Sequence, residues 1–301
     1  MATQKITPNF WFDGNAKEAV EFYVSVFPGS KITSDSHYPD SQEEGLADFQ
    51  VELAGKILTV DFNLAGHDFT AINAGSEFKP NSAISFMVNF DPAHDNQARE
   101  HLNEVWNKLI EGGEVLMALD QYPFSKHYGW VKDRFGFSWQ LILTDPEGEE
   151  RPCIIPSLMF GNGVVNHARE AIEFYTDVFP NSKVGTLAQY TEDTGPAKKD
   201  SLMFADFQLD GQWMAAMDSG VDQDFSFNEA ISLSVACEDQ AEIDQLWSKL
   251  STVPESEQCG WCKDKYGVSW QIIPKNIGKL LQKPDAIKNM MQMKKIVITD
   301  F

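Results

Sequence analysis

Two carboxylates and two carboxamides fall at matching places in the sequence and are the residues best suited to chemistry. Asp61 and Asp218 lie in apolar runs, and Gln140 and Gln271 each follow a Ser-Trp pair. A carboxylate in a pocket lined by aromatic side chains can act as a general base for enolisation or isomerisation. The pattern predicts a cavity in which Asp61 and Asp218 are the candidate catalytic groups and the glutamines contact a ligand.

A second candidate is the Cys259-Gly260-Trp261-Cys262 sequence, which has the spacing of a redox or zinc motif. Such motifs need both sulfur atoms to converge, usually at a helix start or a knuckle turn. Here the surrounding residues predict a β-strand, in which positions three apart point to opposite faces. We therefore expect the two sulfur atoms to diverge and the cysteines to pack rather than to perform redox chemistry.

The chain contains the same elements twice. Residues 16–32 and 168–184 are identical at 11 of 17 positions, and residues 129–142 and 260–273 are identical at 9 of 14. A repeat of this length far exceeds the roughly 20–50 residues of solenoid and propeller units. The sequence therefore predicts two duplicated globular domains. They comprise residues 1–145 and residues 152–301, and an acidic linker joins them.

An amphipathic helix opens each half after a short apolar strand. Apolar residues recur at i, i+3, i+4 and i+7 over residues 16–27 and 168–179, and a proline ends each stripe. Asp13 or Asn15 is expected to cap the first of these helices and Asn166 its counterpart. A helix packed on a strand-rich unit predicts an α+β fold.

The remaining segments of each half read mostly as strands. Residues 48–53 and 57–62 are expected to form a hairpin, with residues 206–209 and 213–218 as its counterpart. A further strand, a second helix and two closing strands complete each half. Asp239 and Glu242 are expected to cap that helix in the second half. The second copy then ends in a helix and a strand.

Composition and charge exclude several classes of protein. The formal net charge of -21 opposes binding to nucleic acid and to anionic membranes, both of which attract clustered Lys and Arg. No apolar run approaches the roughly 18 residues of a membrane span, and the first residues do not resemble a secretory signal. Four cysteines in 301 residues are typical of a reduced compartment. We expect a cytoplasmic protein whose partner is a small molecule.

The chain resembles the PhnB-like group of the vicinal oxygen chelate (glyoxalase/bleomycin-resistance) superfamily, often named 3-demethylubiquinone-9 3-methyltransferase-like. The resemblance is carried by FDGNAKEAVEFYVSVFP, FNEAISLSVACEDQAEIDQLWSKL and CGWCKDKYGVSWQIIP, and it covers nearly the whole chain. It implies tandem duplicated glyoxalase-like domains, with four βαβββ modules that form curled, mostly antiparallel sheets. Single-repeat relatives commonly act as homodimers, so the chain resembles a fused pseudo-dimer, itself a monomer or a homodimer. Whether the modules pair within one half or across halves is left open.

The same resemblance implies positions for a divalent metal held by His, Glu or Gln. In this chain these positions fall at Pro8, Pro156, Ala83, Ala230, Gln140 and Gln271, and near Asp61 and Asp218. Proline and alanine side chains bind no metal, and a neutral carboxamide is a weak ligand. We therefore predict no catalytic metal and no other cofactor.

The remaining candidates are residues that would line the implied cavity. The predicted ligand-pocket residues are Gln50, Trp130, Gln140, Gln208, Cys259, Trp261 and Gln271. The two tryptophans offer flat surfaces for an aromatic ligand, with burial in the core as the alternative. Cys259 resembles the family's usual residue before Gly-Trp and is a candidate pocket thiol. We therefore expect an apolar or aromatic small-molecule ligand.

Three functions are compatible with these residues. The first is a protein that binds and sequesters a small molecule, as drug-resistance members of the superfamily do. The alternative is a metal-independent or weakly metal-dependent enzyme of the lyase, isomerase or dioxygenase type, with a pocket aspartate as general base. A fold retained for protein interaction would instead have a pocket filled by its own side chains. Methyl transfer lacks support, because the sequence has no Gly-rich first turn and no parallel-sheet rhythm.

Overall fold

The computed structural model, which describes residues 4–46 and 48–301, contains two β-sheets. The strands of the first half are β1 (Ile6–Phe12), β2 (Lys31–His37), β3 (Ile57–Leu64), β4 (His67–Asn73), β5 (Ile84–Phe90), β6 (Glu114–Tyr122), β7 (Ser125–Lys132) and β8 (Ser138–Leu143). Those of the second half are β9 (Ile154–Phe160), β10 (Lys183–Gln189), β11 (Leu202–Leu209), β12 (Gln212–Asp218), β13 (Ile231–Cys237), β14 (Trp261–Lys263) and β15 (Ser269–Pro274). The helices are α1 (Ala16–Val26), α2 (Ala98–Leu109), α3 (Ala168–Val178), α4 (Gln240–Leu250), α5 (Ile277–Leu280) and α6 (Ala286–Gln292).

Each sheet takes strands from both halves of the chain. The first sheet has the order β14-β15-β13-β1-β4-β3-β2, and the second has the order β10-β11-β12-β9-β5-β8-β7-β6. The antiparallel pairs β1–β13 and β5–β9 join the halves. Nine of the thirteen strand pairs found among the described residues are antiparallel. The predicted α+β class with curled, mostly antiparallel sheets is therefore confirmed, and the modules pair across halves.

The helices α1 to α4 pack on one face of the sheets and bury most of the apolar side chains. Phe10 of β1 contacts Tyr23 of α1 at a ring distance of 6.0 Å and Phe86 of β5 at 5.2 Å. Because side chains alternate along a strand, Asn9 and Trp11 point to the opposite face. We call that opposite face of each sheet the cavity face.

The two opening helices have the predicted apolar stripes but not the predicted caps. No side-chain cap is found at Asn15 or at His167, the residues that precede α1 and α3. The cap of α4 is as predicted, because the Asp239 carboxylate accepts a hydrogen bond from the backbone N–H of Glu242 at 3.0 Å. The first turns of α1 and α3 bond instead to side chains from the sheets.

The predicted strand at residues 48–53 is wrong, because Asp48–Leu53 is a 3-10 helix. The hairpin that matches β11 and β12 is formed by β3 and β4, with Ala65 and Gly66 at the turn where the second half has Asp210 and Gly211. All four turn residues have positive φ angles, which glycine tolerates readily. The sequence Asp-Phe-Gln at residues 48–50 repeats that at 206–208 and hides the true match.

The end of the chain takes the place of a strand that the second half lacks. The first half places β6 beside β7, whereas β14 has no such neighbouring strand among the residues that the structure describes. The backbone carbonyls of Met293 and Lys294 accept hydrogen bonds from the N–H groups of Cys259 and Gly260, at 2.8 and 2.7 Å. The predicted final strand is wrong, since Ile298–Asp300 is a 3-10 helix.

No helix among residues 4–46 and 48–301 is long and apolar enough to cross a membrane.

Candidate ligand-binding site

The strand registers show which carboxylates of the two sheets are equivalent. Asp61 of β3 lies opposite Thr70 of β4, and Asp206 of β11 lies opposite Ala215 of β12. Each aspartate precedes a buried phenylalanine in the strand that opens the hairpin. Asp206 is therefore the counterpart of Asp61, and the predicted pairing of Asp61 with Asp218 is wrong.

Asp218 has a structural role on the helix side of its sheet. Its Oδ1 accepts a hydrogen bond from the N–H of Ala168 in α3 at 3.1 Å, and its Oδ2 accepts one from the N–H of Leu202 at 2.9 Å. Burial raises the pKa of this carboxyl group. Its counterpart Asn73 bonds in the same way to the N–H of Ala16 in α1, at 3.0 Å. The structure thus places Asp218 on the side of the sheet opposite the cavity face and explains how α1 and α3 begin.

The predicted equivalence of Gln50 and Gln208 is also wrong. Gln50 lies in the 3-10 helix Asp48–Leu53, whereas Gln208 lies in β11 opposite Trp213. Strand alternation places Gln208 on the same face as Asp206. Gln208 therefore belongs to the cavity face of the second sheet, and Gln50 belongs to neither sheet.

A row of polar side chains crosses the cavity face of the first sheet. The register places Asp61, Thr70, Asn9, Ser232 and Ser269 beside one another on five neighbouring strands. Asp61 accepts hydrogen bonds from the hydroxyl groups of Thr70 and Ser34, both at 2.7 Å. The row therefore contains one carboxylate among hydroxyl and amide groups.

The neighbouring row of side chains on the cavity face differs between the two sheets. In the first sheet it consists of Thr7, Ser234, Gln271 and Trp261. In the second sheet the equivalent residues are Ile155, Met87, Gln140 and Trp130. Met87 and Ile155 form a separate buried cluster with Ala215. In this row the second sheet therefore has the apolar side chains of Ile155 and Met87 where the first has the hydroxyl groups of Thr7 and Ser234.

Gln140, in the second sheet, is fully engaged by neighbouring side chains. It is 2% exposed, and its Oε1 accepts a hydrogen bond from the hydroxyl group of Tyr128 at 2.6 Å. Its Nε2 donates to the hydroxyl group of Ser85 at 2.8 Å. Burial raises the pKa of Tyr128, so this phenol remains a donor at neutral pH. Both ends of the Gln140 amide are therefore bonded to buried neighbouring side chains.

Gln271, its counterpart in the first sheet, is half-buried and bonded at one end only. Its Nε2 donates to the hydroxyl group of Ser232 at 2.9 Å. The position of Tyr128 is taken by Cys259, and no donor among residues 4–46 and 48–301 reaches the Oε1 of Gln271. The first sheet therefore presents a free amide acceptor on its cavity face.

Three aromatic side chains form a half-buried cluster next to this acceptor. Trp261, opposite Gln271 in the register, packs edge-to-face on Trp11 with ring centroids 6.0 Å apart. Trp11 in turn packs edge-to-face on Phe78 at 5.0 Å. The predicted flat apolar surface is thus present in the first sheet, where Trp11 and Phe78 contribute to it.

Arg151 of the linker covers part of the cavity face of the second sheet. Its guanidinium carbon lies 3.7 Å from the ring centroid of Trp213, and its Nη2 donates to Asp206 at 2.8 Å. Trp130 on the same face donates its indole N–H to the hydroxyl group of Ser138 at 2.7 Å. The polar groups of this sheet are therefore bonded mostly to one another.

The two cysteines of the CxxC sequence diverge. Cys262 is 1% exposed and packs in the main core, where burial raises the pKa of its thiol. Cys259 is half-buried on the other side, with its Sγ 3.8 Å from the Sδ of Met291 in α6. Cys259 therefore contacts the C-terminal helix at the edge of the first sheet, and the two sulfur atoms form no redox pair.

Two buried carboxylates in the Lys-Asp turns tie the opening helices to the closing strands. Asp264 accepts hydrogen bonds from the hydroxyl group of Tyr175 and the indole N–H of Trp270, at 2.7 and 2.8 Å. It also accepts two backbone N–H groups of its own turn. Asp133 is bonded in the same way to Tyr23 and Trp139. All lone pairs of these carboxylates are therefore used within the fold.

A separate cavity of about 560 Å³ lies at the start of α1. Its lining includes Lys17 of α1, His37 of β2, and Leu53 and Lys56 of the segment between β2 and β3. None of the predicted site residues lines it. The two cavity faces are therefore distinct from this space.

The donors on the cavity faces do not fit a divalent transition metal. Strand alternation turns Pro8 to the face of Phe10, so Thr7 and Asn9 face the cavity instead. Hydroxyl and carboxamide oxygens bind such metals weakly. Among the described residues, no three His, Cys, Asp or Glu side chains are close enough to hold a metal ion. The donor set thus differs from the one that the superfamily resemblance implies.

Several residues of the two faces escape sequence reasoning. Trp11 and Asn9 lie in an apolar strand whose alternation could have revealed them, since Phe10 and Phe12 face the core. Arg151 gives only the weak signal of a basic residue in an acidic linker.

The chain is similar to known proteins over both halves. The family model described as 3-demethylubiquinone-9 3-methyltransferase matches residues 4–142 and 152–273. A putative 3-demethylubiquinone-9 3-methyltransferase, PhnB protein, from Bacillus cereus is 36% identical over 47% of this chain and 100% of its own, with a TM-score of 0.39. Glyoxalase I from Zea mays is 11% identical over 92% of this chain and 95% of its own, with a TM-score of 0.56.

No curated protein matches the chain significantly. The likeness to glyoxalase I concerns the fold, whereas the family model matches the sequence of each half. The chain therefore belongs to the family described as 3-demethylubiquinone-9 3-methyltransferase, whose model it matches once in each half of a glyoxalase-like fold.

Proposed function

We propose that the cavity face of the first sheet binds a small molecule with an aromatic or apolar part and a hydrogen-bond donor, without a bound metal. The observation that carries the proposal is the unpartnered Oε1 of Gln271 next to the Trp11–Trp261 pair. An aromatic wall with a few fixed polar groups is typical of small-molecule sites. The proposed role is binding or sequestration rather than chemistry.

The two sheets differ in a way that favours one site per chain. Gln140 of the second sheet has both ends of its amide bonded by Tyr128 and Ser85. Gln271 keeps one end free because Cys259 replaces the tyrosine. We therefore expect a neutral aromatic ligand to bind with a stoichiometry of one, although the chain is duplicated.

A fluorescence titration with N-phenyl-1-naphthylamine tests the proposal. This neutral probe has an aromatic body and one N–H donor, and its emission rises in an apolar site. Replacing Trp261 with alanine should weaken binding about tenfold, since a tenfold change corresponds to about 1.4 kcal/mol and one aromatic pair contributes about 0.5–1.5 kcal/mol beyond its area. Trp130→Ala is the matched control, because Trp130 is the equivalent residue of the second sheet.

The expected control result is an affinity within a factor of two of the unaltered chain. Equal losses in Trp261→Ala and Trp130→Ala would mean that the probe does not distinguish the sheets. A loss in Trp130→Ala alone would move the site to the second sheet. Either result contradicts the proposal.

The enzyme alternative rests on Asp61 alone, because Asp218 caps a helix. Asp61 lies on the cavity face and accepts hydrogen bonds from Ser34 and Thr70. These two hydrogen bonds occupy one lone pair on each carboxylate oxygen. Turnover of a keto, epoxide or thiohemiacetal substrate that is lost in Asp61→Asn would favour the enzyme over the binding protein.

A further inference from the structure

We infer that the cavity face of the second sheet is a binding site for an organic cation, and that the side chain of Arg151 occupies its cation position. This site is distinct from the one proposed above, which lies on the other sheet and takes a neutral ligand. The inference starts from the linker, which the sequence gives no reason to place on a ligand-binding surface.

The groups around Arg151 form a complete cation-binding site. The guanidinium carbon lies over the ring of Trp213, 3.7 Å from its centroid, and the guanidinium donates to Asp206 at 2.8 Å. An aromatic face combined with a carboxylate is how proteins bind guanidinium and ammonium groups. Asp206 is held in place from its other side by the backbone N–H of Thr186, at 2.6 Å. The site is therefore fixed by the sheet and does not depend on Arg151.

The side chain of Arg151 can move out of this position without disrupting the strand pairs of the sheet. It precedes β9 and its side chain is 16% exposed, while its other contacts are to Glu149 and Glu150 within the same linker. Those linker residues are exposed. Release of the arginine would uncover a carboxylate and an aromatic face while every strand pair remains intact.

The aromatic part of the cation site is specific to the second sheet. The counterpart of Trp213 in the first sheet is Asp68, and the counterpart of Asp206 is Asp61. Asp61 is satisfied by two hydroxyl groups instead of a cation. The combination of Trp213, Asp206 and Arg151 has thus arisen in one copy only, which argues against a general requirement of the fold.

Ser157 supplies an independent indication of a ligand. Its hydroxyl oxygen is fully buried and has no hydrogen-bond partner among the described residues. The register places Ser157 on the same row as Asp206, with only Ala215 between them. It shares the cavity face with Ile155. A buried hydroxyl group without a partner is unfavourable, so a ligand atom that reaches Ser157 would remove this penalty.

These positions define the ligand class. Two strand spacings separate Asp206 from Ser157, or roughly 10 Å, and apolar side chains of Met87, Ile155 and Ala215 lie along this face. A fitting ligand has a guanidinium, amidinium or amine at one end, an apolar middle and a hydrogen-bonding group towards the other end. The net charge of -21 also favours the approach of a cation.

Calorimetric titration of the full-length chain with benzamidine tests the inference, with neutral benzamide as the matched ligand. Arg151→Ala should bind benzamidine at least tenfold more tightly than the unaltered chain, while the affinity for benzamide stays the same. Adding Asp206→Asn to Arg151→Ala should abolish the gain. The control variant is Arg134→Ala, which removes an arginine stacked on Phe22 at 4.3 Å outside both cavity faces.

The Ser157 position is tested with 4-hydroxybenzamidine. This probe should bind Arg151→Ala more tightly than benzamidine, and Ser157→Ala in that background should remove the difference. An unchanged difference would exclude Ser157 from the site and overturn that part of the inference.

A folded Arg151→Ala variant that binds benzamidine no better than the unaltered chain or Arg134→Ala would overturn the inference. If Arg151→Ala does not fold, hydrogen exchange on the unaltered chain decides. Excess benzamidine should speed exchange in residues 144–153 by displacing Arg151, and unchanged exchange would contradict the proposal. Neither result depends on N-phenyl-1-naphthylamine binding, so the two proposals fail separately.

Discussion

Tyr128 and Cys259 occupy equivalent positions in the two sheets, and only the tyrosine hydroxyl group bonds to the glutamine beside it. The Oε1 of Gln140 therefore accepts a hydrogen bond within the protein, whereas the Oε1 of Gln271 remains available as an acceptor. The cavity face of the first sheet therefore has a free amide acceptor at a position where that of the second sheet has a bonded one. The two cavity faces can therefore be tested separately by substitution.

Tyr128→Phe should destabilise the chain without affecting probe binding in the first sheet. The change leaves the buried Oε1 of Gln140 without its donor, which costs about 1–3 kcal/mol. Urea unfolding measures the loss. Tyr122→Phe is the control, because its hydroxyl group makes a single exposed bond to the backbone of Ala118. Equal stability of the two variants would contradict the assigned hydrogen bond.

Asp218→Asn should lower stability and leave ligand binding unchanged. The amide oxygen can still accept the N–H of Ala168, but the amide nitrogen would face the N–H of Leu202 and repel it. Loss of that bond costs about 1–3 kcal/mol. The exposed Asp222→Asn is the control, with a change expected within about 0.5 kcal/mol. Loss of a measured turnover without loss of stability would restore Asp218 as a catalytic candidate.

Asp264→Asn should be among the more damaging single substitutions. The carboxylate accepts four hydrogen bonds, from Tyr175, Trp270 and two backbone groups. Each carboxylate oxygen accepts two of these bonds, so an amide nitrogen in place of either oxygen would face two donors inside the core, at about 1–3 kcal/mol for each lost bond. Thermal unfolding compared with Tyr175→Phe, which removes one bond only, should show the larger loss for Asp264→Asn. A smaller loss would mean that the carboxylate does not organise the turn.

His67 should make the chain less stable as the solution is acidified. Burial lowers the pKa of His67 from 6.5 to about 4, with nearby Asp68 opposing the shift in part. Between these values the unfolded chain binds a proton that the folded chain does not, so stability falls as the pH falls from 6.5 towards 4. His67→Gln should lose less stability than the unaltered chain between pH 7 and pH 5 in urea unfolding.

His94→Gln is the matched control for that comparison, because the side chain of His94 is 64% exposed. It should retain the full pH dependence of the unaltered chain. A direct NMR titration of His67 that gives an ordinary pKa would contradict the prediction independently.

The four cysteines should differ in reactivity towards iodoacetamide. Burial raises the pKa of Cys153 to about 11 and of Cys237 to about 12, and Cys262 lies in the main core. Cys259 is half-buried against Met291. Mass mapping at pH 8 should therefore find Cys259 modified before Cys237 and Cys262. A Cys259–Cys262 disulfide would contradict the divergent geometry.

The sequence predicts those parts of the fold whose periodicity is strong. The stripes from Ala16 and Ala168 coincide with α1 and α3, because apolar residues at helical spacing must share one buried face. The prediction fails at residues 48–53. The identical residues 48–50 and 206–208 suggest that these segments correspond, whereas the true counterpart of β11 is β3, which lies further along the chain. A segment of different length between β2 and β3 causes this displacement, and only the strand register reveals it.

The candidate site is predicted less completely than the fold. Gln140, Gln271, Trp130 and Trp261 do lie on cavity faces, because strand alternation within a well-placed strand decides orientation. Arg151 could not be predicted, since its position depends on the path of the linker. The difference between Gln140 and Gln271 also depends on a third residue in a neighbouring strand, which the sequence alone does not bring together.

The pairing of Ile6 with Val235 has a consequence for how the chain folds during its synthesis. During synthesis the first half emerges with the edges of β1 and β5 unpaired, and their partners follow only later. Exposed strand edges favour association with other chains. Because both partners are carried on one chain, they arrive at an effective concentration that for short linkers is in the millimolar range. Having both partners on one chain therefore favours the pairing of β1 with β13 and of β5 with β9 over pairing with another chain.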